Sequence, residues 1–372
     1  MIYKSFGDIK LSALGLGTMR LPTIDGDNGR IDIETTKKMV KYAMDAGINY
    51  YDTAWMYHKG TSELAIGEVL KDYPRESFYL ASKFPGFGKD KLSKVEEIFE
   101  TQLKKCQVEY FDFYLFHNVC EDNIDGYLDP AYGIYDYLMK QKENGRIRHL
   151  GFSTHGSLDT MKRFLDAYGK DMEFCQIQLN YLDYKLQDAK AKLELVAKYN
   201  IPIWVMEPVR GGRLAALEKD DEETLKALRP DCSIPEWAFR FLQGFEAVTV
   251  TLSGMSNMDQ LTENIKTFCE EKPLNENEFK VIMEIVDRMI EKSAVPCTSC
   301  RYCVEKCPKS IDIPAVIAAY NEYFKNQDKD FLMALDKEKG PAACIACRQC
   351  EKLCPQGIKI SEVMKKAAAI IG

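Results

Sequence analysis

No stretch of this chain approaches the run of about 18 apolar residues that a membrane-spanning helix requires. The opening residues, Met-Ile-Tyr-Lys-Ser-Phe-Gly, lack the apolar core of a secretory signal. Together these absences predict a cytoplasmic protein with no membrane partner. Positive charge is in short supply: 50 Lys and Arg face 57 Asp and Glu, a net charge of −7. That balance argues against nucleic acid as a ligand. No segment is of low complexity, and no flavin-specific motif is present. Nor does a Gly-x-Gly-x-x-Gly turn follow the first predicted strand, which argues against a doubly wound dinucleotide-binding sheet.

At 372 residues, 46% of them hydrophobic and 29% charged, the chain is long enough for one large barrel and a smaller domain. Residues 2–12 alternate around a Gly-Asp turn at 7–8 and predict a β-hairpin. Strands and helices then alternate eight times. The strands are expected at 13–18, 50–54, 78–84, 110–117, 149–154, 174–180, 202–208 and 247–254. The helices are expected at 33–45, 62–72, 91–106, 133–144, 158–168, 186–199, 234–243 and 258–268. Eight such units over about 250 residues predict an α/β fold, a closed (β/α)8 barrel. Residues 1–272 would form this barrel, 273–296 a linking helix, and 297–372 a second domain.

Such barrels keep their chemistry at the C-terminal ends of the strands. Asp52 ends the second strand, and Tyr57 stands in the loop just beyond it. Taken alone, Asp52 reads equally well as a turn carboxylate and Tyr57 as a rim aromatic. Lys83 lies at the tip of the apolar stretch Phe-Tyr-Leu-Ala-Ser-Lys-Phe, and His117 ends Tyr-Phe-Asp-Phe-Tyr-Leu-Phe-His. A Lys and a His at the tips of consecutive buried strands are costly as packing and useful as catalysis. At these four positions the chain resembles the aldo-keto reductases, whose catalytic tetrad is Asp, Tyr, Lys and His in this order and context.

The resemblance implies a bottom-closing hairpin, a nicotinamide cofactor and a small carbonyl or alcohol substrate. Carbonyl reduction needs a hydride to carbon and a proton to oxygen, and a phenol donates poorly near neutrality unless tuned. Lys83 beside Tyr57 would favour the phenolate, Asp52 would orient Lys83, and His117 would hold the substrate oxygen. Trp55, Phe84 and His58 are candidates for the substrate mouth, rim packing being equally consistent with each. By the same resemblance Ser153 and Gln176 would contact the nicotinamide amide, with Asn180 at that strand's tip. Met206 would be its platform. Thr18, Met19, Gly211, Gly212 and Arg213 would lie along the cofactor, the last three at the pyrophosphate. Gly254 would lie along the cofactor, Ser256 and the helix N-terminus after it suit phosphate, and Glu263 and Asn264 match adenosine contacts. Relatives selective for the 2′-phosphate carry Lys or Arg where Gly254, Met255 and Gln260 stand, so a charge-assisted pair is missing and NADH or NADPH is expected. A flavin is compatible with the barrel, since barrels bind flavin without a fixed motif.

Eight of the 13 cysteines lie after residue 296. The other five, Cys106, Cys120, Cys175, Cys232 and Cys269, are scattered and read as buried or half-buried thiols. The tail repeats Cys-x2-Cys-x2-Cys-x3-Cys-Pro, at Cys297, Cys300, Cys303 and Cys307 and at Cys344, Cys347, Cys350 and Cys354. In a reducing compartment such clustering means metal, and this spacing is that of two-cluster bacterial ferredoxins. Zinc sites more often pair two Cys-x2-Cys units. Two [4Fe–4S] clusters are expected, each taking three cysteines from one motif and the fourth from the other. Helices expected at 314–325, 330–335 and 360–370 give the tail the look of an α-helical ferredoxin. It holds 12 Lys and Arg against 9 Asp and Glu, partly offsetting thiolate charge. The expected function is carbonyl reduction or alcohol oxidation with electron transfer to a partner protein. Competing readings are a plain reductase whose clusters are structural or sense oxygen, and a non-enzymatic electron-transfer or regulatory module.

Overall fold

The computed structural model describes residues 1–291, 295–327, 329–336 and 338–371. The chain divides into two compact units, Met1–Val209 with Thr224–Glu276, and Arg210–Glu223 with Asn277–Gly372.

The first unit opens on a hairpin, β1 Tyr3–Phe6 and β2 Ile9–Ser12. Its turn uses Gly7 at φ +55°, a region glycine enters without steric penalty. Eight strands follow: β3 Leu14–Gly17, β4 Tyr50–Asp52, β5 Tyr79–Phe84, β6 Phe111–Val119, β7 Ile147–Thr154, β8 Phe174–Gln178, β9 Ile203–Met206 and β10 Val248–Ser253. All pair in parallel and close as β10-β3-β4-β5-β6-β7-β8-β9. The expected (β/α)8 barrel is the observed fold. Tyr50, Phe113, Phe174, Trp204 and Val250 form one buried cluster, and Phe6 and Ile9 of the hairpin pack against it. The Phe6 ring lies 5.2 Å from that of Trp204. The hairpin thus stops the N-terminal end of the barrel, and the strand C-termini carry the long loops.

Helix starts follow their caps. Asp32 accepts from Thr35 N–H at 3.0 Å before Ile33–Asp45, and Asn257 accepts from Gln260 N–H at 2.9 Å before Met258–Thr267. The helix expected over 91–106 is broken into Lys89–Leu92 and Val95–Cys106. Leu92 packs against Gly126, whereas Phe99 packs on Phe111 and Tyr114, and one straight helix would not serve both. The helix expected over 186–199 is likewise two pieces, Asp183–Leu186 and Ala189–Ala197, with Asp188 at φ +50° between them. Cys269, expected to be at least half-buried, is exposed.

The second unit has its own core, formed by Ile311, Ile313, Val316, Ile317, Leu332, Ile360 and Met364 together with Cys303 and Cys350. Its helices are Ile313–Asn326, Asp330–Met333 and Ile360–Ile371, close to expectation. The linking helix expected over 273–296 runs Glu276–Glu291, and 292–294 lie outside the described residues. Residues 210–223 belong to this unit, although they follow β9 in sequence. Arg288 donates twice to Asp221 Oδ1, at 2.6 and 3.1 Å, which fastens that stretch to the helix. Among the described residues no helix is long and apolar enough to cross a membrane.

Candidate active site

β4 ends on Asp52, and the chain then turns through Tyr57–Gly60. His58 holds that turn. Its Nε2 accepts from Leu21 N–H at 3.1 Å and its Nδ1 meets Asn28 O at 2.9 Å. With both ring nitrogens engaged and the side chain buried, His58 is a structural residue rather than part of a substrate mouth. Phe84 is also fully buried, beside Tyr127. Trp55 is half-buried under the Lys105 ammonium, 4.0 Å away.

Lys83, on β5, is wholly buried and reaches three acceptors: Asp52 Oδ1 at 2.6 Å, Thr53 O at 2.8 Å and Tyr57 Oη at 3.3 Å. Three acceptors match the three N–H groups of an ammonium. Burial pushes Lys83 down and Asp52 up, and their mutual contact opposes both shifts. His117, on β6, sets its ring edge-on to Tyr57, with centroids 6.1 Å apart at 83°. Its Nδ1 is buried without a hydrogen-bond partner, as is Asp52 Oδ2. Burial, then Lys83, then His155 hold His117 well below the usual imidazole range, so it is neutral. The structure therefore brings Asp52, Tyr57, Lys83 and His117 together at the C-terminal end of the barrel.

Two supports of this group come from residues with no sequence signal. Tyr127 Oη accepts from Gly86 N–H at 3.0 Å and lies 2.8 Å from His117 O and 3.1 Å from Phe84 O, tying the tips of β5 and β6. Behind Lys83, buried Glu63 accepts from Ser82 and Gln102, and Gln102 also donates to Lys83 O at 3.0 Å. Each of these contacts joins separate elements.

The expected cofactor residues divide. Gln176, on β8, is buried with Nε2 3.6 Å from Met206 Sδ, and its Oε1 has no partner. Ser153 Oγ accepts from Asn118 N–H at 2.8 Å, and Asn118 Oδ1 is another orphaned acceptor. Orphaned buried carbonyls fit the amide N–H of a nicotinamide. Thr18 shares a 2.7 Å hydrogen bond with Ser62, and Met19 is half-buried beyond it. Asn180, by contrast, is consumed locally by Asp183 and Glu207 O. Asn264 donates to Ser253 at 3.1 Å, and Glu263 is half-buried one residue before it. Ser256 gives its hydroxyl proton to Arg20 O and its N–H to Gln260, so part of that helix N-terminus is already occupied. Arg20 lies against Gly254, bringing to that rim a cation that sequence position does not reveal. Gly211, Gly212 and Arg213 fall in the second unit.

In that unit Cys307 lines one cavity with Cys344, Cys347 and Cys350. Cys297, Cys300 and Cys354 all lie within charge range of Cys303, as does Cys350. Among the described residues no three acidic, histidine or cysteine groups converge as a single ion requires. Thiolate sulfur is the donor an iron–sulfur cluster takes, so these cysteines fit such a group.

The aldo/keto reductase family model matches residues 13–287, and a 4Fe–4S dicluster domain model matches residues 296–358. An uncharacterized oxidoreductase of Bacillus subtilis, YqkF, is 24% identical over 77% of this chain and 96% of its own. The NADH-specific methylglyoxal reductase of Escherichia coli is 25% identical over 69% of this chain and 90% of its own. The holo form of aldo-keto reductase AKR11C1 from Bacillus halodurans superposes with a TM-score of 0.63 at 24% identity, over 77% of this chain and 96% of that one.

Proposed function

The chain belongs to the aldo/keto reductase family and is an oxidoreductase with a 4Fe–4S domain, and from that premise we propose that it reduces a small carbonyl, or oxidises the alcohol, at Asp52, Tyr57, Lys83 and His117. One observation carries the reading: a buried ammonium shared between a carboxylate and a phenol, 2.6 and 3.3 Å away, beside a neutral imidazole. Tyr57 gives the carbonyl oxygen its proton, and Lys83 stabilises the phenolate left behind. Asp52 and Thr53 O aim Lys83. His117, neutral, steers the substrate oxygen toward Tyr57 without competing as an acid. A bound nicotinamide supplies or takes the hydride. Gln176 Oε1 and Asn118 Oδ1 would accept from its carboxamide, and Met206 would back the ring. The relative specific for NADH, and the absence of a basic residue at 254, 255 and 260, support NADH as well as NADPH. Tyr57→Phe is expected to lower kcat by about 10²–10⁴, the usual worth of a positioned acid, with nicotinamide affinity nearly unchanged. Full turnover by this variant on an accepted carbonyl would reduce Tyr57 to a rim aromatic.

The second unit is proposed to hold two [4Fe–4S] clusters, one on Cys297, Cys300, Cys303 and Cys354, the other on Cys344, Cys347, Cys350 and Cys307. Pro308 cannot extend a helix past Cys307, which turns that residue out of its own motif. The cavity that Cys307 shares with the second motif supports the crossing. Cys307→Ala should damage the cluster of the second motif, and damage confined to the first would reverse the assignment. The clusters are read as carriers to a partner protein. Anaerobic titration with NADH and NADPH, followed by EPR, tests this. Turnover without any cluster reduction would leave the clusters a structural task.

A further inference from the structure

Arg210 follows β9 by a few residues, in the stretch the family uses near the cofactor, yet its side chain is directed elsewhere. It is 0% exposed. Its guanidinium donates to Pro296 O at 3.1 Å and to Cys297 O at 3.4 Å. Its backbone sits at φ +49°, a region that costs a branched or long side chain energy and that persists only where the surroundings impose it. Burying a guanidinium is expensive unless it meets charge or hydrogen bonds of opposite sense. The carbonyls of Pro296 and Cys297 meet part of that need. Arg210 and Arg213 both lie within charge range of Cys297. The positive charge of this loop is thus directed at a cysteine of the second unit.

We propose that Arg210 is a positioning residue for the cluster on Cys297, Cys300, Cys303 and Cys354, and that its buried charge sets that cluster's reduction potential. The inference rests on the cluster reading above. Reduction adds one electron to the cluster and no proton, so the reduced form is the more negative. A fixed cation beside one ligand favours that form and raises the potential. The two carbonyl contacts hold the guanidinium in place, and so keep its charge at one distance from the sulfur. The residue just before Gly211, Gly212 and Arg213, which family resemblance places at a pyrophosphate, is thus a cluster residue.

The test is an anaerobic dithionite titration of the full-length, cluster-loaded protein, read by EPR. The signal altered by Cys300→Ala identifies the cluster in question. Arg210→Gln keeps an amide donor for the carbonyls and removes the charge. It is expected to lower the reduced-to-oxidised ratio at the wild-type midpoint roughly tenfold, about 59 mV for a one-electron centre. Arg210→Lys keeps the charge and should titrate near wild type, and the other cluster should not move in either variant. Arg213→Gln should shift the same cluster the same way, by less. Coincident titrations of wild type and the loaded Gln variants overturn the proposal, as do equal shifts in Arg210→Gln and Arg210→Lys. Loss of that cluster from Arg210→Gln, with no shift in Arg213→Gln, makes Arg210 a folding residue and overturns it too. Wild-type protein lacking iron and acid-labile sulfide would instead sink the cluster reading itself.

Discussion

Lys83 has no exposure to solvent and still finds three acceptors. Removing it orphans Asp52, whose Oδ2 already lacks a partner. Lys83→Met should therefore cost stability as well as rate: about 3–5 kcal/mol, the scale of breaking a buried pair. Thermal melting beside kcat measurement would show both losses, and a variant as stable as wild type would mean the pair is not ionised. Two buried histidines and the half-buried His155 make a separate prediction. His155 is pushed down to about 3 by burial, then by Lys192, with Gln178 opposing. Burial lowers His58 and His117 as well. A histidine lowered in the native state binds its proton better when unfolded. The stability it lends is complete above about pH 6.5 and is lost as pH falls below that value. Melting temperature should decline from pH 7 toward 4.5, and His155→Asn should flatten the slope. An unchanged slope would show that His155 does not drive the acid lability.

At the scale of elements, the helix Ser62–Leu70 approaches Val95–Cys106 at Gly67. A Cβ there would stand 2.4 Å from Lys105 O and 2.7 Å from Cys106 C, both backbone atoms. Gly67→Ala should destabilise by about 1–3 kcal/mol, the usual cost of overpacking, measurable by denaturant melts. No loss would imply that the two helices slide apart freely. The strands were legible because each is walled by helices outside and by the barrel interior within, leaving continuous apolar runs. The grouping of Asp52, Tyr57, Lys83 and His117 was legible because each stands at a strand tip or just past one. His58 was not, because its partners Leu21 and Asn28 are distant in sequence. Glu63, Gln102 and Tyr127 were hidden for the same reason. The helix Lys219–Leu228 was not legible because its sequence, Lys-Asp-Asp-Glu-Glu-Thr-Leu-Lys-Ala-Leu, is dominated by charge. Arg210 was passed over for Arg213, since spacing alone says nothing about where a guanidinium goes.

For the whole molecule, removal of iron should melt the second unit and spare the first, because the crossed ligation proposed above would join the two halves of a small core. Limited proteolysis of metal-free protein should cut within 210–223 and after residue 276, while the segments of the first unit resist. Undigested helices Ile313–Asn326 and Ile360–Ile371 in that preparation would refute the coupling. The second unit is also discontinuous, made of 210–223 and 277–372. During synthesis its first piece leaves the ribosome while its second is still untranslated. The bonds from Arg288 to Asp221 and from Arg210 to Cys297 O can form only after the later piece is made. Barrel completion at β10 precedes both events, so maturation has an order imposed by translation, with cluster insertion last. Anyone grafting the iron–sulfur segment onto another barrel would have to transplant a loop encoded upstream of β10 as well.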